Sequence, residues 1–186
     1  MTSVLQKVGK SNRPILAVVM GVSGCGKSTL GHALAKKRDW CYLDADDFHS
    51  AQSRDHMASG KPLTDEMRKP WISAICQRLR LLSNDCTHTV LAFSGLKKAH
   101  REPLRHCGFD VIFLHLAGDR EIVAQRLQAR TDHFMPVSLL DSQLAALEAP
   151  ENEGDVCSLA IDASINDLLD QSDRLVEQRL VAAQGL

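Results

Sequence analysis

The sequence predicts an α/β fold in which a parallel β-sheet carries helices on both faces. Three apolar runs of strand length, at residues 15–20, 89–93 and 111–116, are nearly free of polar side chains. Strands without polar alternation are typical of parallel sheets that are buried on both faces. Longer amphipathic stretches separate these runs, and this alternation favours crossover helices between parallel strands.

Further elements follow from weaker patterns. Residues 40–43 and 158–161 are two more strand candidates. Asp119 is placed to cap a helix whose apolar positions lie at residues 122–127. Apolar residues at helical spacing over 165–176 predict a closing helix.

One predicted helix has a well-marked buried face. Trp71, Ile75 and Leu79 recur at a spacing of four residues, which places them on one side of a helix. We expect Pro70 to open this helix, since proline is favoured at the first helical position.

The chain of 186 residues is short enough to predict a single domain. We expect residues 1–13 to form a flexible tail, because they are polar and lack periodicity, and residues 14–186 to form the domain. Residues 130–153 are polar at both ends and apolar at 137–147. This pattern predicts a short helix within a mobile excursion.

Composition excludes several classes of function. The net charge of −1 provides no field that would attract nucleic acid or an anionic membrane. No apolar run approaches the roughly 20 residues that span a bilayer, and residues 1–13 are polar, without an apolar segment of the signal-peptide type. The six cysteines do not have zinc-site spacing, so we expect free thiols. We therefore expect a cytoplasmic protein that binds neither nucleic acid nor membrane.

The strongest motif is a phosphate-binding loop. The segment Gly21, Val22, Ser23, Gly24, Cys25, Gly26, Lys27 and Ser28 satisfies GxxxxGK[ST], directly after the first strand and before a predicted helix that includes Thr29. Glycines let the backbone N–H groups turn towards a phosphate, and the helix N-terminus adds to this anion site. We expect Lys27 to bridge the β- and γ-phosphates and Ser28 to provide a hydroxyl ligand to Mg²⁺.

Two carboxylates are candidates for the metal and the acceptor. The second strand runs into Asp44 and Asp46, which share one face if the chain stays extended. We expect Asp44 to reach the metal and Asp46 to orient or deprotonate the acceptor hydroxyl. The alternative interpretation is that Asp46 or Asp47 caps the next helix.

Basic side chains are placed to bind anions at two positions. Arg126 and Arg130 lie four residues apart, so on a helix they share a face and could clamp the phosphates as the following segment closes. An exposed basic helix face would look the same. Lys97 and Lys98 follow the third strand at the sheet edge where ligands of open α/β sheets bind.

Several segments together resemble the gluconokinases of the shikimate-kinase-like group. These are the phosphate loop, residues 43–46 with His49, residues 57–71, residues 94–98 with Arg101 and Arg105, residues 126–130, residues 133–136 and residues 139–148. Residues 57–71 and the Leu96-Lys97-Lys98 segment are the distinctive ones. The resemblance extends from about residue 15 to residue 161.

The resemblance implies a five-stranded sheet, ATP- and Mg²⁺-dependent transfer to the terminal hydroxyl of gluconate, and a homodimer. It implies that residues 130–153 form a lid over ATP. It also implies that the sugar acid is bound by Asp46, His49, Arg68, Lys97, Lys98 and His133.

Other functions remain open at this point. A related small-molecule kinase with a different acceptor is possible, because the phosphate loop does not select the acceptor. A catalytically impaired nucleotide-binding regulator is a second alternative, based on Thr131 and Asp132 in the predicted lid. A polynucleotide kinase is disfavoured by the charge and by few aromatic residues.

Overall fold

A single parallel sheet organises the chain. The computed structural model describes residues 13–129, 137–150 and 152–184. Its five strands are β1 (Ile15–Met20), β2 (Cys41–Asp44), β3 (Thr89–Phe93), β4 (Asp110–Ala117) and β5 (Val156–Ala160). They lie in the order β2-β3-β1-β4-β5, and every pairing is parallel. The predicted α/β class and the five-stranded sheet are confirmed.

Seven α-helices accompany the strands in the described parts of the chain. They are α1 (Lys27–Arg38), α2 (Ala51–Ala58), α3 (Asp65–Asn84), α4 (Lys98–Arg105), α5 (Arg120–Gln128), α6 (Val137–Ala146) and α7 (Ile165–Gln184). None of the helices described is long and apolar enough to cross a membrane. The short helix expected in the 130–153 excursion is α6, whereas residues 1–12 and 130–136 lie outside the described residues.

Both faces of the sheet are buried, as the unbroken apolar strands predict. Along β1, Ile15, Ala17 and Val19 join one apolar cluster with residues of α1, α5 and α7. The alternate residues of β1 join a second cluster with α3 and α4. Successive side chains of a strand point to opposite faces, so each cluster covers one face of the sheet.

Helix α3 begins earlier than the sequence predicted. Thr64 is its N-cap, with its side-chain oxygen accepting a hydrogen bond from the N–H of Met67, so Pro70 lies inside the helix. The expectation that Pro70 opens the helix is therefore wrong, because the cap at Thr64, six residues upstream, already starts the first turn. The predicted buried face is confirmed by Trp71, Ile75 and Leu79.

The chain does not stay extended after β2. Ala45–Phe48 forms a 3₁₀ turn, and the carboxylate of Asp44 caps it by accepting a hydrogen bond from the N–H of Asp46 at 3.0 Å. The expectation that Asp44 and Asp46 share one face of an extended segment is wrong for this reason. The capping residue is Asp44 itself, rather than Asp46 or Asp47.

Strand β1 lies at the point where the sheet reverses direction. Its neighbours are β3 and β4, and the chain proceeds from β1 to one side of the sheet and from β3 to the other. Ligands of open α/β sheets bind beyond the carboxyl ends of the strands at such a point. The loop after β1 is the glycine-rich phosphate loop, so the fold places this motif where a ligand site is expected.

Candidate active site

Glycines shape the phosphate loop between β1 and α1. Gly24 and Gly26 have φ angles of 85° and 107°, a region that L side chains rarely adopt. A Cβ atom on Gly24 would also lie 2.6 Å from the side chain of Leu127. The N–H of Gly21 donates to the carbonyl of Ser94 at 3.2 Å, which joins the loop to the residue after β3. The loop is therefore fixed by its own backbone and by two neighbouring segments.

Lys27 is held at the same loop. Its Nζ donates a 3.0 Å hydrogen bond to the carbonyl of Val22, so the ammonium group lies against the phosphate loop that precedes α1. Lys27 and Ser23 both line the large cleft described below. This is the position from which a lysine can reach phosphate oxygens bound by the loop.

A hydrogen-bonded carboxylate joins the start of α1 to the end of β2. Asp44 Oδ2 accepts hydrogen bonds from the hydroxyl of Ser28 at 2.8 Å and from the hydroxyl of Tyr42 at 3.1 Å. Burial, reinforced by the neighbouring Asp44 carboxylate, raises the pKa of the Tyr42 phenol. The phenol therefore remains a protonated donor at neutral pH and fixes the orientation of Asp44.

The side-chain oxygens of Ser28 and Asp44 are suitable ligands for a magnesium ion. A hydroxyl and a carboxylate are hard oxygen ligands, and Mg²⁺ is usually bound by one or two carboxylates together with substrate phosphates. The described residues contain no cluster of three or more His, Cys, Asp and Glu side chains that could hold a metal by themselves. A metal at this position would therefore depend on phosphate ligands for the rest of its shell.

A cleft of about 840 Å³ opens from the phosphate loop. It runs between the 3₁₀ turn, α2, the start of α3, the loop after β3, and α6. Five basic side chains line it: Lys27, Arg54, Lys61, Arg68 and Lys97. Among the described residues, two carboxylates line it, Asp46 and Asp65, so this lining is locally positive although the chain carries a net charge of −1.

Asp46 and His49 lie on the wall of the cleft next to the 3₁₀ turn. The Asp46 carboxylate is 85% exposed, and His49 Nε2 lies 3.8 Å from it. His49 is buried against the ring of Trp71, with ring centroids 4.5 Å apart, and burial lowers the pKa of its imidazole. Trp71 Nε1 donates to the carbonyl of Ala45 at 2.7 Å, which anchors the turn. Trp71 thus holds in place the turn that carries the accessible Asp46 carboxylate.

The predicted acceptor cations do not all face the cleft. Arg68 and Lys97 line it, and Lys97 Nζ donates to both carboxylate oxygens of Asp65, at 2.9 and 2.7 Å. Lys98 is exposed at the start of α4 and is not among the lining residues of the described chain. Its backbone N–H donates to Glu148 Oε2 at 2.6 Å. A role for the Lys98 side chain in acceptor binding stays a prediction.

Helix α6 covers the cleft from the other side. Gln143 Oε1 accepts a 2.7 Å hydrogen bond from the N–H of Ser23, so α6 contacts the phosphate loop directly. The guanidinium of Arg120, at the start of α5, pairs with both carboxylate oxygens of Asp141 on α6, at 2.6 and 3.1 Å. The described part of the predicted lid is therefore docked at the nucleotide end of the cleft.

A buried arginine secures the segment that follows α6. Arg101 of α4 is fully buried, donates to the carbonyls of Gly95 and Leu96, and forms an ion pair with Glu153. It also donates to the carbonyl of Glu148 at 3.2 Å. Arg101 thus joins the loop that carries Lys97 to Glu148 and Glu153, near the C-terminal end of the predicted lid. Arg101 is therefore a buried structural link between these segments.

The two arginines predicted to clamp phosphates have different outcomes. Arg126 donates to the carbonyl of Ile161 at 2.6 Å and to that of Cys25 at 3.4 Å, which places it behind the phosphate loop. Its contact with phosphate stays a prediction. Arg130 and His133 lie outside the described residues.

Sequence reasoning assigned no role to four residues that form or support the site: Tyr42, Asp65, Gln143 and Glu153. A signal existed for Asp65, because Thr64 and Asp65 precede an amphipathic run in the manner of a helix start. The other three act through contacts between segments that are distant in the sequence, and no local pattern marks them.

A glycine-rich loop between a central strand and a helix, with a lysine and a hydroxyl–carboxylate pair at its end, defines a P-loop nucleotide-binding protein, the class that includes the P-loop phosphotransferases. Comparison with known proteins narrows this class. A family model described as an AAA domain matches residues 16–150. Gluconokinase of Arabidopsis thaliana is 45% identical over 148 residues, which cover 73% of this chain and 78% of the relative.

Two further relatives extend the match. The thermosensitive gluconokinase of Escherichia coli K12 is 37% identical over 173 residues, covering 90% of this chain and 92% of the relative. The crystal structure of a gluconokinase from Sinorhizobium meliloti 1021 superposes with a TM-score of 0.80 at 34% identity, covering 89% of this chain and 93% of that one. The chain belongs to the AAA-domain family and, within it, to the gluconokinases.

Proposed function

We propose that this chain transfers the γ-phosphoryl group of ATP to the 6-hydroxyl of gluconate, giving 6-phosphogluconate. The observation that carries this function is the positive cleft that opens from the phosphate loop, lined by five basic and two acidic side chains of the described residues in a chain of net charge −1. Such a cleft suits an anionic acceptor lying next to a triphosphate. Membership of the gluconokinase family identifies the sugar acid.

On the nucleotide side, the chain binds and neutralises phosphate. The N–H groups of the phosphate loop and the N-terminus of α1 face the β-phosphate, and Lys27 moves from the carbonyl of Val22 to the phosphate oxygens. Ser28 and Asp44 would hold Mg²⁺, and Tyr42 orients the Asp44 carboxylate by donating a hydrogen bond to it. ATP and Mg²⁺ supply the phosphoryl group and the divalent charge that offsets negative charge in the transition state.

On the acceptor side, Asp46 orients the 6-hydroxyl and takes its proton as the oxygen bonds to the γ-phosphorus and ADP leaves. The 85% exposed carboxylate is free to meet the incoming hydroxyl, and its turn is anchored by Trp71. Accurate placement is the main requirement, because phosphoryl transfer depends chiefly on positioning and charge stabilisation. His49, Arg68 and Lys97 line the same cleft and contact the rest of the sugar acid.

The remaining predictions concern assembly and closure. Closure of the 130–153 lid would bring Arg130 and His133 to the ligands and exclude water, with Arg126 supporting the loop from behind. The homodimer, the cytoplasmic location and the division into a tail at 1–13 and a domain at 14–186 stay predictions of the sequence.

A panel of acceptors tests the proposed function. Purified chain with Mg·ATP is given gluconate, shikimate, AMP, glycerate, glucose or no acceptor, and ADP release is followed. We expect release with gluconate and its loss, by at least about 100-fold, in Lys27→Ala. Lys36→Ala is a matched control, because Lys36 lies in the last turn of the same helix and outside the cleft lining. Release with another acceptor but not with gluconate would contradict the proposal.

A further inference from the structure

One acidic side chain faces the acceptor end of the cleft in an arrangement that the proposed reaction does not explain. Asp65, the first residue of α3, receives two hydrogen bonds from Lys97 Nζ. His100, a buried histidine, places Nε2 3.6 Å from the same carboxylate. A carboxylate in a site for an anionic acceptor repels that acceptor, so its presence requires a reason.

The consequence of this pair is that Lys97 is already neutralised. Its ammonium donates hydrogen bonds to both oxygens of Asp65, and the side chain is 31% exposed. A second carboxylate bound by Lys97 would have to share the ammonium with Asp65. The pair as a whole carries no net charge but presents both N–H donors and oxygen acceptors to the cleft.

Arg68 differs from Lys97 in its charge pairing. It lies three residues after Asp65, on the same face of α3, and lines the cleft. No ion pair joins its guanidinium to any described carboxylate, although the field of Asp65 reaches it. Burial lowers the pKa of Arg68, the behaviour of a cation that has lost water without gaining a close anion. A planar guanidinium is suited to binding a carboxylate through two parallel hydrogen bonds.

We propose that Asp65 is a specificity-determining residue of the acceptor site. By neutralising Lys97, it leaves Arg68 as the cation for a single acceptor carboxylate, while the Lys97–Asp65 pair hydrogen-bonds to acceptor hydroxyls. Hydroxyl groups donate and accept, so they match a pair that offers both functions. This inference rests on the proposed function and extends it, because it assigns to Asp65 the discrimination between acceptors with one carboxylate and acceptors with two.

Rejection of a second carboxylate follows from the same geometry. In a four-carbon acid with a carboxylate at both ends, the second carboxylate would take the place of an inner hydroxyl of gluconate, at the Lys97–Asp65 pair, where Asp65 repels it. Specificity of this kind combines an attractive contact for one ligand with a repulsive contact for another. Replacement of Asp65 by a neutral isostere should therefore weaken the monocarboxylate and strengthen the dicarboxylate.

Calorimetric titration of gluconate and tartrate, a four-carbon dihydroxy dicarboxylate, into the wild-type chain and into Asp65→Asn tests this directly. We expect the Kd for gluconate to rise about 10-fold in Asp65→Asn, since hydroxyl contacts to a charged group are lost. We expect the Kd for tartrate to fall about 10-fold, since the freed Lys97 gains an anion. Glu66→Gln is the matched control, because Glu66 is the next residue, is exposed and lies outside the cleft lining. Its Kd ratio should equal that of the wild type.

Arg68 provides the complementary measurement. Arg68→Gln should weaken gluconate at least about 10-fold while leaving the uncharged polyol glucitol unchanged. An Asp65→Asn chain that keeps the wild-type melting temperature and the wild-type ratio of the two Kd values would overturn the proposal. Unchanged gluconate binding in Arg68→Gln would overturn it as well. These titrations do not depend on turnover, so gluconate that binds without ADP release would contradict the proposed function and not the role of Asp65.

Discussion

The hydroxyl of Ser28 donates a 2.8 Å hydrogen bond to the carboxylate of Asp44. This contact joins the end of the phosphate loop to the end of β2, two segments 16 residues apart in the chain. The same carboxylate oxygen also accepts from Tyr42, and the other oxygen accepts from the N–H of Asp46. One side chain therefore sets both the candidate metal position and the start of the turn that carries the candidate base.

Asp44→Asn should impair metal-dependent turnover severely. The amide keeps the size of the side chain but removes the negative charge that would balance a divalent cation, so we expect kcat to fall at least about 100-fold. The measurement is ADP release as a function of Mg²⁺ concentration. Asp47→Asn removes the same charge from an exposed position outside the cleft lining and should leave the Mg²⁺ dependence unchanged.

Tyr42→Phe tests the support of that carboxylate. Removal of the phenolic hydroxyl deletes one of the two donors to Asp44 Oδ2 but keeps the ring, which stacks on His32 with centroids 3.7 Å apart. Loss of a residue that orients a metal ligand typically weakens metal affinity about 10-fold or more. We expect a higher Mg²⁺ requirement with little change in melting temperature, and an unchanged Mg²⁺ titration would be evidence against a positioning role for Tyr42.

Substitution by alanine should lower the stability of the chain by different amounts at two glycines of the phosphate loop. At Gly26 an added Cβ would meet nothing within 4 Å, so Gly26→Ala adds only backbone strain, about 1–3 kcal/mol. At Gly24 a Cβ would lie 2.6 Å from the side chain of Leu127, and overpacking adds about 1–3 kcal/mol more. Denaturant unfolding should rank Gly24→Ala as the less stable variant. The reverse order would show that Leu127 moves away freely.

The ion pairs of Glu153 predict a dependence of stability on pH. Burial raises the pKa of this carboxyl, but hydrogen bonds from Arg101 and Arg105 outweigh it, and the net shift is downward. A lowered pKa in the folded state means that the contribution is present above the usual carboxyl pKa, about 4.3, and is lost as pH falls through the lowered value. The melting temperature should therefore drop steeply below about pH 4.

Glu153→Gln should remove that part of the acid sensitivity. At pH 7 we expect the variant to be less stable than the wild type by about 3 kcal/mol, because Arg101 is left buried without a carboxylate. The gap in melting temperature should narrow as pH falls towards 3. Glu102→Gln, which removes an exposed partner of Arg105, is the control and should change stability by less than about 1 kcal/mol at every pH. A constant gap for Glu153→Gln would contradict the assignment.

Local sequence patterns predicted the framework of the site, because the strands and the phosphate loop depend on residues that are close together in the sequence. The strands and the phosphate loop were predictable, because apolar runs and glycine spacing act over a few residues. The start of α3 was not, since the cap at Thr64 outweighs the preference of Pro70 for a first turn. The Asp65–Lys97 pair and the Gln143–Ser23 contact join residues 32 and 120 positions apart, and only the folded chain brings them together.

The most direct test of the central claim is the identity of the product. Purified chain, Mg·ATP and gluconate are incubated, and the new phosphate ester is observed by proton-coupled phosphorus NMR. Transfer to the 6-hydroxyl places phosphorus next to a CH₂ group, so the account predicts a triplet that is absent from Lys27→Ala. A doublet, which reports an ester at one of the CH positions, or the absence of any new ester would contradict it.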